Sequence, residues 1–250
     1  MSAVVFDKVS VAFGSRSALS GLSAAFKPGC VTGVIGPNGA GKTTALRAAL
    51  GLQSITAGTI RVLDRPLSEW KRDALARAMA YLPQGGDARW PMRAGEVVML
   101  GRLPHRPAFA PPGLKDQLAV AEALSRCDAG RFVDRRMDEL SAGERARVLF
   151  ARALATGARV LLADEPAAYL DPSHQLRLME LLREEAERGT AVAITLHDLA
   201  LAGSYCDEVL VLAEGRLAAE GGPEVALSEA TLARVFQIVR ANGHGAYRRL

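Results

Sequence analysis

Three features of the chain predict an α/β fold with a mostly parallel sheet and flanking helices, an antiparallel β lobe and an inserted helical subdomain. An apolar strand-like run, Val31 to Ile35, feeds the segment Gly36, Pro37, Asn38, Gly39, Ala40, Gly41, Lys42, Thr43 and Thr44, which opens a helical pattern. After Ser141 helices and strands alternate in the rhythm of parallel strands with crossover helices. Between these regions, residues from about 85 to 135 are broken by Pro91, Pro104, Pro107, Pro111 and Pro112.

The elements follow in order. Residues 3–13 and 22–26 alternate with period two and read as short strands before the Val31–Ile35 run. The next helix places Ala45, Leu46, Ala49 and Leu50 on one face and stops at Gly51. Strands are expected at Gly58–Leu63 and Ala78–Leu82, and helical patterns lie around 94–101 and 115–127. Then come helix 142–155, strand 159–163, helix 173–188 and strand 190–196. The runs Val160–Ala163 and Ala191–Ile194 are apolar without alternation, as strands covered on both faces are. A hairpin at 208–220 turns at Glu214-Gly215, and an amphipathic helix near 228–238 precedes a polar tail.

Composition narrows the class. At 250 residues and 49% hydrophobic content the chain can bury one large core. No apolar run approaches the ~18 residues of a membrane span, and Asp7 and Lys8 interrupt the amino-terminal apolar residues, so no signal peptide is expected. A cytosolic protein is expected unless a partner holds it at a membrane. Cys30, Cys127 and Cys206 are odd in number and lack metal-ligand spacing, so reduced thiols are expected. The net charge of +4 is spread along the chain without a dense basic run, so no nucleic-acid partner is expected.

Chemistry concentrates at a few positions. In Gly36–Thr44 the glycines let the backbone aim successive N–H groups at phosphate oxygens, and the following helix adds the positive end of its dipole. Lys42 would reach the β- and γ-phosphates and the Thr43 hydroxyl would ligate Mg²⁺. Asp164 and Glu165 stand at the carboxyl end of a buried strand, where ligands bind in open parallel sheets. Asp164 would order Mg²⁺ and Glu165 would orient or deprotonate the attacking water; alone, the pair would read as solvated carboxylates ending a strand.

Ser141 and Glu144 form a capping box for the helix from Ala142, and such a helix start, with Gly143, is also an anion site. One nucleotide does not obviously need both. His197, at another strand end, reads either as a contact to the γ-phosphate or as a neutral loop residue. Gln84 follows Tyr81-Leu82-Pro83, and its amide would bind Mg²⁺ or the attacking water. Phe13 reads equally as an adenine stacker or a core aromatic.

These residues and their order resemble the ATP-binding cassette ATPases over essentially the whole chain. Gly36–Thr44 looks like the Walker A loop, Gln84 the Q-loop, Leu140–Glu144 the signature motif, Val160–Glu165 the Walker B strand, Leu170-Asp171 the D-loop and His197 the switch histidine; Phe13 occupies the place of the adenine stacker. The resemblance implies a single ABC ATPase domain over 1–250 with a P-loop NTPase core lobe of about 1–84 and 156–250 and a helical subdomain of about 85–155. It implies ATP and Mg²⁺ as cofactors, and a head-to-tail homodimer in which the signature helix of one subunit closes on the nucleotide held by the other. Two departures stand out: Ala142 replaces the usual signature glycine and Glu144 the commoner glutamine. Ala167-Ala168-Tyr169 also departs from the usual small polar run.

Within the family the chain resembles the ATPases of importers for iron-siderophore complexes, haem and cobalamin. The likeness rests on Val97–His105, Ala167–Gln175, Leu196–Ala200 and the hairpin ending near Gly221. It implies membrane permease subunits as partners, a substrate-binding protein acting indirectly, and a peripheral position on the cytoplasmic face of the inner membrane. Trp90, Pro91, Met92 and Leu100 are candidate permease contacts or ordinary core. The alternative is a soluble mechanical ATPase acting on nucleic acid or ribosomes. Those acting on chromosomes carry a very long coiled coil, for which the stretch from Lys42 to Ser141 is too short, and those acting in translation usually fuse two cassettes. A nucleotide-metabolising kinase would leave the signature and His197 unexplained.

Overall fold

Val4, Phe6, Val9 and Val11 are the buried side chains of the first strand, β1 (Val4–Phe13), in the computed structural model, which describes residues 2–84, 90–168, 170–240 and 247–249. Their period of two slips at Lys8, whose φ of 48° is left-handed, and the pairing shifts between Phe6 and Val9. This bulge returns Val9 and Val11 to the buried face. β1 pairs antiparallel with β2 (Arg16–Phe26) and with β4 (Ala57–Val62), and β5 (Arg65–Pro66) completes a sheet of order β2-β1-β4-β5. Phe6 and Phe26 meet edge to face across it, 5.5 Å between centroids.

The second sheet has six strands in the order β10 (Arg216–Gly221), β9 (Glu208–Ala213), β3 (Val31–Ile35), β8 (Ala191–Leu196), β7 (Val160–Ala163) and β6 (Met79–Leu82). All run parallel except β10, which forms a hairpin with β9. The turn residues Glu214 and Gly215 both have positive φ, 50° and 75°, the hairpin geometry that matches strand twist. Every residue of β3, β7 and β8 is buried. Leu161, Ala163, Val192 and Ile194 face one cluster with the helices, while Val160, Leu162, Ala191 and Ala193 face the other, shared with the antiparallel sheet. Burial on both faces accounts for the unbroken apolar runs.

Helix α1 (Lys42–Ala49) follows β3 and lies on the antiparallel-sheet side through Ala45, Leu46, Ala48 and Ala49. A short α2 (Arg72–Ala78) leads into β6. Then α3 (Ala94–Met99), α4 (Leu114–Arg126) and α5 (Ala142–Ala155) pack together through Val97, Val98, Val120, Ala123, Leu124 and Val148. The turn Leu100–His105 grips the carboxyl end of α5. Arg102 Nη1 donates to Ala155 O at 2.8 Å and the His105 Nε2–H to Thr156 O at 2.8 Å, while Arg77 from α2 donates to Pro104 O at 2.8 Å. Basic groups thus satisfy carbonyls that a helix end leaves free.

The remaining helices are α6 (Pro172–Glu187), α7 (Leu199–Tyr205), α8 (Pro223–Ala226) and α9 (Glu229–Thr231). The mostly parallel sheet, the antiparallel lobe and the inserted helices agree with the expected α/β class. Several local expectations are corrected. β2 starts at Arg16 rather than 22, because the hairpin with β1 extends a Ser- and Gly-rich stretch of low strand propensity. α2 and α7 were not foreseen; Asp198 accepts from the N–H groups of Ala200 and Leu201 and so caps α7. The helix expected over 228–238 is instead α9 and a π-helical turn, Leu232–Phe236, stopped at Gln237 with φ 56°. The expected polar tail contains β11 (Ile238–Arg240) paired with β12 (Tyr247–Arg249).

Candidate functional site

The loop between β3 and α1 is shaped by backbone packed against it. A Cβ at Gly36, whose φ is 153°, would lie 2.1 Å from Leu212 O of β9, and one at Gly41, with φ 100°, would lie 2.6 Å from Ala18 O of β2. Only glycine fits either place. Lys42 is 6% exposed, and its Nζ folds back to donate to Gly36 O at 2.8 Å and Pro37 O at 3.3 Å. Burial pushes its pKa down, and the Glu165 and Asp164 carboxylates pull it up.

At the end of β7 the fully buried Asp164 collects three hydroxyls. Thr43 Oγ1 donates to Oδ1 at 3.0 Å, Thr195 Oγ1 to the same oxygen at 2.7 Å, and the Tyr81 hydroxyl to Oδ2 at 3.3 Å. The Thr195 oxygen also accepts from the Glu165 N–H at 2.7 Å. That bond holds Glu165 at φ 47°, a left-handed conformation that a non-glycine residue rarely adopts. The strained backbone sends the carboxylate outward, where Oε2 accepts from Gln84 Nε2 and Oε1 bonds His197 Nε2, both at 2.5 Å.

A cleft of about 340 Å³ opens over this loop, lined by Phe13, Arg16, Ala18, the run Asn38 to Thr44 and Glu165. Phe13 is 52% exposed at its rim and is not a core aromatic. Gln84, expected on metal or water, sits on Glu165. The structure therefore groups Phe13, Gly36–Thr44, Gln84, Asp164, Glu165 and His197. It places Ser141, Ala142, Gly143 and Glu144 elsewhere: they start α5 and do not line the cleft. Their capping box is formed, with the Glu144 N–H donating to Ser141 Oγ at 3.3 Å and the Ser141 N–H to Glu144 Oε2 at 2.8 Å. The Ser141 N–H, the largest influence, holds the Glu144 carboxyl below the usual range.

Three contributors escaped the sequence reading. Thr195 stands in an apolar strand, where threonine reads as β-branched packing; its place two residues before His197 is the signal. Tyr81 immediately precedes Leu82-Pro83, and its hydroxyl faces Asp164 only because β6 pairs with β7. Arg16 enters the cleft from the unforeseen half of β2.

Comparison with known proteins settles the family. The model of the family described as "ABC transporter" matches residues 19–168, more than half of the chain. The chain belongs to the ABC transporter family. This ABC chain is 44% identical over 230 residues to the hemin import ATP-binding protein HmuV of Rhodococcus jostii (strain RHA1), covering 92% of its own length and 78% of that protein. It is 41% identical over 219 residues to the cobalamin import ATP-binding protein BtuD of Halobacterium salinarum (strain ATCC 29341 / DSM 671 / R1), covering 87% of itself and 54% of that protein. Among solved structures it matches the dimeric post-hydrolysis state of the ATP-binding cassette MJ0796 bound to ADP and Pi. That match has a TM-score of 0.76 and 26% identity, over 88% of this chain and 98% of that one. As an ABC transporter ATPase the chain binds and hydrolyses ATP.

Two substitutions test this geometry. Thr195→Val keeps the shape but removes the hydroxyl that bridges Asp164 Oδ1 and the Glu165 N–H. Leaving buried polar groups short of a partner costs about 1–3 kcal/mol, so thermal unfolding is expected several degrees lower, with at least about a tenfold loss of ATP turnover. Parental values in both measurements would remove Thr195 from the site. Ala142 is the first residue of α5 and its φ is negative, so alanine carries no strain there. Ala142→Gly is expected to leave ATPase turnover within about twofold and to cost at most about 1 kcal/mol of stability; a large gain in turnover would overturn that.

Proposed function

We propose that this chain is the ATPase of an importer for a metal chelate such as haem, an iron-siderophore complex or cobalamin, working as a head-to-tail homodimer beneath a membrane permease. One observation carries the dimer: the capped start of α5 lies outside the cleft that holds the phosphate loop, so a single chain does not close its own site. The named relatives, one for hemin import and one for cobalamin import, support the cargo class. A substrate-binding protein would deliver that cargo to the permease, and the ATPase would sit peripherally on the cytoplasmic face of the inner membrane. No helix among the described residues is long and apolar enough to cross a membrane.

The donor set fits a nucleotide with Mg²⁺. Among the described residues no group of three or more His, Cys, Asp or Glu side chains is arranged as a metal cage. Thr43 and Asp164 instead offer one hydroxyl and one carboxylate 3.0 Å apart, the sparse oxygen set that Mg²⁺ takes beside phosphates and water. When bound, the ion neutralises charge developing on the phosphates. Backbone N–H groups of Asn38–Thr44 and the Lys42 ammonium hold the phosphates, and Phe13 stacks on the base. Glu165 orients and deprotonates the attacking water, while His197 and Gln84 fix its carboxylate and sense the γ-phosphate. Ser141, Ala142, Gly143 and Glu144 grip the nucleotide held by the partner subunit. In the proposed cycle the lobe of about 85–155 moves against that of 1–84 and 156–250.

Permease docking falls to a groove of about 610 Å³ whose apolar walls include Leu50, Leu52, Leu67, Trp70, Leu75 and Tyr81. Leu52 is 66% exposed there. The groove meets the far end of α1, which starts at Lys42, and the strand that leads to Gln84, so a segment seated in it reaches both ends of the site. Of the contacts first considered, Trp90 and Pro91 are exposed, while Met92 packs against the core and Leu100 is half-buried.

The test is to purify the protein from membranes, identify the permease that accompanies it, and add loaded binding proteins to the reconstituted complex. A haem-, siderophore- or cobalamin-loaded binding protein is expected to accelerate ATP turnover, and Leu52→Asp to abolish that stimulation while isolated subunits keep their basal rate. Co-purification with ribosomes or nucleic acid, and no permease, would overturn the reading.

A further inference from the structure

The first turn of α6 touches both halves of the machinery. Gln175 Nε2 donates to Ala167 O at 3.1 Å, tying the turn to the segment that follows Glu165. One residue earlier, His174 lies against the start of α5. A Cβ at Gly143 would fall 2.5 Å from His174 Cδ2 and 2.7 Å from its Nε2. A side chain at position 143 would have to push this ring aside, so glycine there lets the ring and the start of α5 stay in close contact.

The ring is also oriented. A guanidinium only donates, so the 3.3 Å contact from Arg147 Nη2 makes His174 Nε2 the acceptor and puts the proton on Nδ1. Nδ1–H then donates to Asp171 Oδ2 at 2.6 Å. Asp171 caps α6 through the His174 N–H at 3.0 Å and accepts from Ser173 Oγ at 2.8 Å. These bonds, the His174 N–H first, hold its carboxyl down to about 2. Arg147 is anchored in turn by Asp128 at 2.8 Å and lies over the Phe132 ring, 5.6 Å from the centroid. A continuous chain therefore runs from Asp171 on α6 to Arg147 on α5 and Asp128 beyond it.

We infer that His174 is a positioning residue, a latch that joins the Glu165–Asp171 segment to the Ser141–Glu144 turn so that the two shift together. The inference rests on the head-to-tail reading. There the segment serves the subunit's own nucleotide and the turn serves the partner's, so the latch passes a change at one site to the other. A coupling of this kind is a free energy shared between two sites.

The experiment uses the full chain. His174→Ala and His174→Gln are made in the parent and in a Glu165→Gln background. Amide exchange over Ser141–Arg145 is measured in the monomer, ATP affinity in the monomer, and ATP-driven dimerisation in the Glu165→Gln form, all well below the unfolding temperature. His174→Ala is expected to speed exchange in that turn about tenfold and to weaken the ATP-bound dimer about tenfold, with ATP affinity of the monomer within about twofold. His174→Gln, whose side-chain oxygen still accepts from Arg147, is expected to recover most of both losses. Parental exchange and dimerisation in His174→Ala would overturn the latch, as would a dimer defect accompanied by an equal loss of ATP affinity or unrepaired by glutamine. If the Glu165→Gln parent fails to dimerise with ATP, the head-to-tail reading falls and takes the inference with it; faster exchange in His174→Ala would still mark the intramolecular contact and separate the two failures.

Discussion

Glu165→Gln is expected to slow ATP hydrolysis by about two to four orders of magnitude, with ATP still bound and the dimer trapped around it. The replacement is isosteric, and the Thr195 hydroxyl still holds its backbone at φ 47°. What changes is the proton chemistry. An amide cannot take a proton from water, and it presents one acceptor where the carboxylate presents two. One of the contacts to Gln84 and His197 would therefore set donor against donor, and rotation of the Gln84 amide relieves it. Binding depends on the loop and Lys42, which the substitution leaves alone. Single-turnover hydrolysis beside equilibrium binding of a fluorescent ATP analogue separates the effects. Turnover at the parental rate would remove Glu165 from its role.

Lys42→Ala is expected to weaken ATP binding about a hundredfold or more, since each hydrogen bond from a charged donor contributes about 1.5–3 kcal/mol and 1.4 kcal/mol is tenfold in affinity. The ammonium now sits on Gly36 O and Pro37 O, in a loop whose residues Asn38 to Thr44 line the cleft. Moving it onto phosphate replaces carbonyl dipoles with full charges. Lys42→Arg should fail too, because a planar fork does not fit the space shaped around a slender chain. Thermal unfolding is the control: a small shift in Tm beside a large loss of affinity places the defect at the ligand, whereas unchanged affinity would contradict the phosphate-loop reading.

Much of the architecture was legible because burial writes itself into residue order. Val160–Ala163 and Ala191–Leu196 are unbroken apolar runs because helices cover one face of their sheet and a second sheet the other. Ser141 and Glu144 announced a helix start because reciprocal capping needs that spacing. Motif spacing likewise picks out the residues grouped around Glu165. The rest depended on what lies across space rather than along the chain. The Thr195 hydroxyl has a partner only because β8 pairs with β7. His105, readable as a surface loop residue, became a helix-end donor because Gly101 lets its turn approach Arg152 O, where a Cβ would stand 2.2 Å away. Near the carboxyl end, Leu232, Val235 and Phe236 carry a helical period, but left-handed Gln237 stops the helix and Ile238 turns into a strand.

The clasp at the far end of α5 has a mechanical corollary. Its 14 residues make a rod about 21 Å long, pinned at Ala155 and Thr156 by Arg102 and His105, while Arg77, on the helix whose Leu75 and Ala76 line the apolar groove, braces the Leu100–His105 turn that holds the pin. A rod with such a fulcrum amplifies: a tilt of about 10° at the pinned end sweeps the Ser141 tip through roughly 4 Å at 1.5 Å of rise per residue. Under the proposed docking, pressure on the groove would thus become travel at the Ser141 end of the rod.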